Sequence, residues 1–332
     1  MKVLVLIILL LIAFYLVKNK NRYDIVITWV NLTGDVNDYI ELKYLLRSIY
    51  SNDFPFGTIY IVHSDYKIID GIRKLGPPTY LKETSRLKFI SHQSLGCNYE
   101  ISRACQIPFL FNRIRGLSNH FFHIEDDQFV MNRNVFYDLI RQHRNKQVKV
   151  NMVKYVGYDK ILNSSVPIGG EKQWVFGQMN AGKLLGAERY SFDIHTIKFY
   201  DKNILNKIET LYPTVWDKSK RLINPFPSDR YRCNLWSLFS GYLMEKLNYT
   251  RVDLIDNGDY IEIHTNGFNE YSNEKVVKEL NDIKKKMDSS KAYILNIQGD
   301  GISGEYPKAP IVRKFFIDYL EGLFPMRTEW EL

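Results

Sequence analysis

Hydrophobic residues fall along this chain in two rhythms. Short, nearly unbroken apolar runs occur at Asp24–Val30, Thr58–Val62, Leu87–Ile90 and His120–Ile124, each bounded by polar or turn-forming residues. Such runs are the mark of strands buried on both faces. They begin roughly 30 residues apart, the spacing of strand–helix–strand units. Between the first two lies Asp38–Tyr50, where Leu42, Leu45, Leu46 and Ile49 recur at i, i+3, i+4 and i+7. That spacing draws one apolar stripe along a helix, with Asp38 placed to favour its N-terminus. Gly76-Pro77-Pro78 predicts a turn before the third strand. The first half therefore reads as an α/β fold, a Rossmann-like, mixed or mostly parallel sheet flanked by helices.

The rhythm weakens between about 150 and 235, where Pro213, Pro225 and Pro227 divide the chain into short pieces. This pattern suggests an irregular substrate-region insertion. Helical periodicity returns with Val276, Leu280, Ile283 and Met287, and again with Val312, Phe315, Phe316, Tyr319, Leu320 and Leu323, before Pro325 stops it. At the other end, Val3–Val17 is an unbroken apolar stretch flanked by Lys2 and by Lys18, Lys20 and Arg22. No small-residue cleavage site follows, so residues 1–22 are expected to form a single-pass N-terminal membrane anchor. Residues 23–332 are expected to form one catalytic domain, with a nucleotide and metal half over 23–150 and a substrate and phosphate half over 151–332.

Composition changes this picture little. The chain has 332 residues, 45% hydrophobic and 25% charged, which suits a globular domain. The net charge of +8 is compatible with anionic ligands, but no basic block is long enough to suggest nucleic acid. Aromatics reach 14%, and such faces suit sugar stacking as well as core packing. Cys97, Cys105 and Cys233 form no CxxC or zinc spacing and are expected to be free thiols. Sequons at Asn31, Asn163 and Asn248 are compatible with a secretory route.

Candidate chemistry starts at His120–Phe129, where an apolar strand ends in three successive carboxylates, Glu125, Asp126 and Asp127. In open α/β sheets ligands bind beyond the carboxyl ends of strands. Adjacent carboxylates repel unless a cation is shared, and an all-oxygen ligand set favours Mg²⁺ or Mn²⁺. A solvated acidic loop is the plainer alternative. His63 and His123 lie inside strands and read as packing. Asp38 and Glu41, one helical turn apart, read as a cap or a second cation site.

Segments falling in four blocks, taken in order, resemble the Stealth family of sugar-phosphate transferases. Asp24-Ile-Val-Ile-Thr-Trp-Val-Asn31 is similar to the family's opening DVVYTWVNG. Asp38–Ser48 is similar to its D-x-x-E-L-R-Y-x-L-R-S helix, followed by the strand Ile59–Val62. Arg113-Ile-Arg-Gly-Leu-Ser118 resembles RIPGLS, and Glu125–Asp127 stands where the family has NDD. His195-Thr-Ile-Lys-Phe-Tyr-Asp201-Lys202 resembles HTP-x-x-x-DK, Arg230-Tyr-Arg232 resembles R-F-R, and Phe324–Glu331 resembles the closing FPxPSxFE. Four places depart from the pattern: Glu125 replaces Asn, Cys233–Trp236 carries no acidic residue after Arg232, Leu295-Asn296-Ile297 lacks the Asp of LND, and Ser102–Pro108 only poorly echoes the polar NSNAIE helix before RIPGLS.

The resemblance implies a glycosyltransferase-A-like fold and transfer of a hexose 1-phosphate from a nucleotide-sugar to a hydroxyl of a glycan or polysaccharide acceptor. The products would be a phosphodiester and a nucleoside monophosphate. It places a divalent Mg²⁺ or Mn²⁺ at Asp126 and Asp127 with Glu125, and His195, Arg230 and Arg232 in catalysis. Asp24, Thr28, Trp29, Asn31 and Arg47 would lie at the nucleotide-sugar end. Two other functions fit the same residues: a metal-dependent glycosyltransferase releasing a nucleoside diphosphate, and a non-catalytic carbohydrate-binding protein.

Overall fold

The structure, a computed structural model, describes residues 22–29, 36–63, 76–95, 108–154, 170–192, 196–213, 233–255, 258–265, 268–298 and 308–332. Its centre is a five-stranded sheet of order β3-β2-β1-β4-β9. Strands β1 (Asp24–Thr28), β2 (Ile59–His63), β3 (Leu87–Ser91) and β4 (His120–Glu125) are parallel. Strand β9 (Lys198–Asp201) closes one edge antiparallel to β4. The mostly parallel α/β sheet expected from the apolar runs is thus what forms.

Alternation along each strand explains why the runs have no polar face. Ile25, Ile27, Ile59, Ile61, Phe122 and Ile124 point into one apolar core. Val26, Tyr60, Val62 and Phe121 point into a second core on the other side. Helices cover both faces, so β1 and β2 are buried at every position, while the edge strand β3 is only partly covered beyond Leu87. The first core is covered by α1 (Val36–Ser51), α3 (Asn134–Arg144), α7 (Asn273–Ser289) and α8 (Ala309–Leu323). The second is covered by α2 (Pro108–Phe111), α4 (Gly170–Leu185), α5 (Lys202–Leu211) and α6 (Leu235–Leu247).

The predicted stripe of α1 is fully buried: Leu42, Leu45, Leu46 and Ile49 have at most 1% exposure. In α7, Val276, Leu280 and Met287 are buried, with Ile283 packed beside them. In α8 the buried line narrows to Val312, Phe316 and Leu320, while Leu323 is exposed at the frayed end.

A second sheet of order β11-β12-β5 leans against α1. Strand β5 (Gln128–Val130) pairs antiparallel with β12 (Ile294–Gln298), which pairs parallel with β11 (Tyr260–His264). Ser48 ties β5 to the helix: its hydroxyl accepts from the Val130 amide at 2.9 Å and donates to the Leu45 carbonyl at 2.7 Å. The Asn52 side-chain amide donates to the Val130 carbonyl at 2.8 Å. Two smaller pairs complete the described strands. They are β6 (Gln147–Lys149) with β10 (Thr250–Val252), and β7 (Asn151–Lys154) with β8 (Arg189–Phe192). The β4–β9, β5–β12 and β6–β10 pairings all cross residue 150, so the expected halves share their sheets.

One expectation is corrected. Among the described residues no helix is long and apolar enough to cross a membrane, so the single-pass anchor read over residues 1–22 is not supported. Helices α3 and α7 lay one apolar face on a core and carry charge elsewhere, which is the pattern of helices packed on a sheet. Val3–Val17 itself lies outside the described residues.

Candidate active site

The site expected from sequence lies where β4 leaves the sheet. Strand β4 ends at Glu125, in register with Thr28 at the end of β1. Asp126 and Asp127 then form the tight turn into β5, both half-buried. This turn is held on both sides. The Ile297 amide of β12 donates to the Asp127 carbonyl at 3.2 Å, and the Glu125 amide donates to the Gln128 side-chain oxygen at 3.2 Å. Gln128 is wholly buried and faces Asn296, which is also wholly buried. The same register carries His264 and Gln298, the last residues of β11 and β12, toward this edge.

Glu125 has a specific partner. The Lys198 ammonium, at the start of β9, lies 3.3 Å from its carboxylate, and both side chains are largely buried. One of the three successive carboxylates is thereby paired within the protein. Lys198 and His123 are in register across β4 and β9. The His123 imidazole lies 3.2 Å from the Thr28 hydroxyl, and burial pushes its pKa down to about 3. The nearby Glu125 charge works against that shift, and Lys198 adds to it. His123 is therefore a neutral hydrogen-bonding group near neutral pH, consistent with its reading as packing.

Other expected residues fall elsewhere. Trp29 is 2% exposed within the first core, so its ring is not open for stacking. Asp24 begins β1 and lies at the opposite, amino end of the sheet. Its two carboxylate oxygens accept from the Thr58 and Ser118 amides, both at 2.7 Å, and stitch β1 to the segments entering β2 and β4. A Cβ on Gly57 would come within 2.3 Å of Asp24 Oδ1, so only glycine fits beside this clamp.

Arg47 is engaged by carboxylates of the C-terminal region. Its guanidinium, 2% exposed, makes a two-pronged bond to Glu331 at 2.9 and 2.8 Å and a third to Glu321 at 2.8 Å. It joins α1 to α8 and the C-terminal segment. Burial works to raise the Glu331 carboxyl, and the Arg47 bonds outweigh it and hold it below the usual range. Glu41 is buried in α1. Asn31, His195, Arg230 and Arg232 lie outside the described residues, as does the side chain of Asp38.

Among the described residues, two places could hold a cation. Asp126 and Asp127 offer hard oxygen donors on a fixed turn, the donor type that suits Mg²⁺ or Mn²⁺ shared with a substrate phosphate. Glu125 is drawn to Lys198 instead. At the amino end of the sheet, His120, His143 and Asp201 bring one ligand atom each to within 4.8 Å of one another. Sequence reasoning missed this group and Lys198, because their partners come from distant segments with no motif spacing.

No protein-family model matches the sequence, and no curated protein matches it. Several solved structures are loosely similar. A galactosyltransferase, LgtC, solved with donor and acceptor sugar analogs, is 10% identical, with 92% of this chain and 98% of that one covered, at a TM-score of 0.42. The glycosyltransferase GlyE of Streptococcus pneumoniae TIGR4 is 11% identical at a TM-score of 0.40, over 92% of this chain and 62% of that one. Mouse xyloside xylosyltransferase 1 is 9% identical at 0.37, over 83% and 97%. At these scores the likenesses are distant, and the fold assignment rests on the strand order and register described above.

Proposed function

We propose that the protein is a nucleotide-sugar-dependent transferase working at the carboxyl edge of β4, and that it transfers a hexose 1-phosphate to a glycan hydroxyl. The observation that carries this reading is the acidic turn Asp126–Asp127, clamped between the central sheet and β5. The order of the segments that resemble the Stealth family supports the phosphosugar chemistry.

Asp126 and Asp127 would hold a divalent Mg²⁺ or Mn²⁺, which when bound supplies positive charge to the donor diphosphate. Lys198 pairs with Glu125, which lowers the electrostatic cost of bringing an anionic donor to this edge. The neutral His123 positions the Thr28 hydroxyl at the end of β1. In the transfer, the acceptor oxygen bonds to the sugar-bearing phosphorus and the bond to the nucleotide phosphate breaks. His195 takes the hydroxyl proton, and Arg230 and Arg232 grip the phosphoryl oxygens through planar paired donors.

The leaving group tests the proposal. Purified full-length protein is incubated with a nucleotide-sugar panel, Mg²⁺ or Mn²⁺ and acceptor glycans, and the released nucleotide is identified. A nucleoside monophosphate with a phosphodiester product is expected. A nucleoside diphosphate would mean attack on the anomeric carbon and ordinary glycosyl transfer. Sugar binding without turnover across cations would leave a binding protein. Asp126→Asn and Asp127→Asn should each lower turnover by about 100-fold or more with the unfolding midpoint nearly unchanged; near-normal turnover in both would remove the cation role.

A further inference from the structure

We propose a second metal site, of zinc type, formed by His120, His143 and Asp201 at the amino edge of the sheet. It is separate from the acidic turn and independent of the function proposed above.

The three residues come from three elements. His120 opens β4, Asp201 closes β9 directly opposite it, and His143 lies in the last turn of α3. His120 Nε2 is 3.2 Å and His143 Nε2 is 3.9 Å from the same Asp201 oxygen, Oδ2. Ligand atoms around a four-coordinate zinc at about 2.0–2.1 Å stand about 3.4 Å apart, so these separations need little adjustment. A hydrogen bond accounts for the His120 contact. At 3.9 Å the His143 contact is beyond hydrogen-bond reach, and a cation between the three atoms would satisfy all of them.

Each ligand is also held by its other polar atom or by its ring. Asp201 caps α5: its Oδ1 accepts from the Asn203 amide at 2.8 Å and the Ile204 amide at 3.4 Å, which leaves Oδ2 for the imidazoles. His143 Nδ1 lies 3.3 Å from the Tyr249 hydroxyl, which leaves Nε2 facing Asp201. The His120 ring stacks on Phe199 with an interplanar angle of 8°. Outer partners of this kind fix the tautomer and orientation of metal-binding histidines. Two imidazoles with one carboxylate favour Zn²⁺ over Mg²⁺ or Ca²⁺, which take oxygen. The His120 side chain is 39% exposed, so solvent can complete the shell.

Burial acts to raise the Asp201 carboxyl, and bonding to His120 and the α5 amides outweighs it, so the group is ionised near neutral pH. Burial and the neighbouring His120 lower the pKa of His143, against the pull of Asp201.

The test uses chelator-stripped full-length protein titrated with Zn²⁺, and with Co²⁺ as a spectroscopic substitute. One tight Zn²⁺ per chain is expected, with the strong visible absorption of low-coordinate cobalt. His120→Ala and His143→Ala should weaken binding by roughly 100-fold or more, Tyr249→Phe by roughly 10-fold, and Asp126→Asn with Asp127→Asn not at all. If the histidine variants do not fold, ¹⁵N imidazole spectra of the wild-type protein decide, because Zn²⁺ must shift two of its seven histidines. Absence of tight Zn²⁺ binding, its persistence in the doubly substituted histidine variant, its loss in the acidic-turn variant, or unmoved imidazole signals would each overturn the site.

Discussion

At the residue scale, the carboxyl edge of β4 is governed by how a few buried charges are compensated. Lys198→Met should remove the ammonium that lies 3.3 Å from the Glu125 carboxylate and cost about 3–5 kcal/mol, the range for breaking a buried pair. Adding Glu125→Gln should recover most of that loss in denaturant titrations; if it does not, the ion pair is not what the lysine supplies. His123 gives a pH signature. Its folded pKa of about 3 lies below the ordinary 6.5, so below pH 6.5 the unfolded chain binds a proton that the native state refuses. Its contribution to stability is complete above 6.5 and falls as pH drops toward 3, with a slope approaching about 1.4 kcal/mol per pH unit. His123→Gln should flatten that part of the stability curve relative to wild type. Equal slopes in the two proteins would show that the imidazole is protonated in the folded state.

At the element scale, the sequence was most readable where one rule sufficed. Strands β1, β2 and β4 appear as apolar runs because both faces of each are covered, and α1 shows its stripe because a sheet lies beneath it. The Asp126–Asp127 turn was legible for the same reason: carboxylates that directly follow a buried strand must sit at its end. Arg47 was not. A guanidinium in a helix motif reads the same whether it meets a phosphate or a carboxylate, and its partner Glu331 lies 284 residues away. Asp24 has the same ambiguity, since nothing local distinguishes an anion at the ligand end from one that accepts backbone amides at the far end. Arg47→Lys keeps the charge but loses the fork, and should cost about 2–3 kcal/mol. The expected result is a lower unfolding temperature with an unchanged KM for the donor. A raised KM with intact stability would return Arg47 to the nucleotide end.

At the scale of the whole molecule, the division near residue 150 describes chain order and not mechanical units. The central sheet takes its edge strand β9 from the second half, and the small sheet takes β5 from the first. Residues 23–150 and 151–332, expressed separately, should each fail to give native circular dichroism. The intact chain should unfold in one transition seen alike by far-UV signal and tryptophan emission. Two separated transitions, or a folded fragment, would contradict the shared sheets.

The ties from Ser48 and Asn52 to β5 bear on binding as well as on folding. A span fixed at both ends has already lost its conformational entropy before any ligand arrives, so association there would carry little further ordering cost. Loosening one tether should therefore act at a distance. Ser48→Ala, placed on a helix that need not touch substrate, would weaken donor affinity by giving the turn back its freedom.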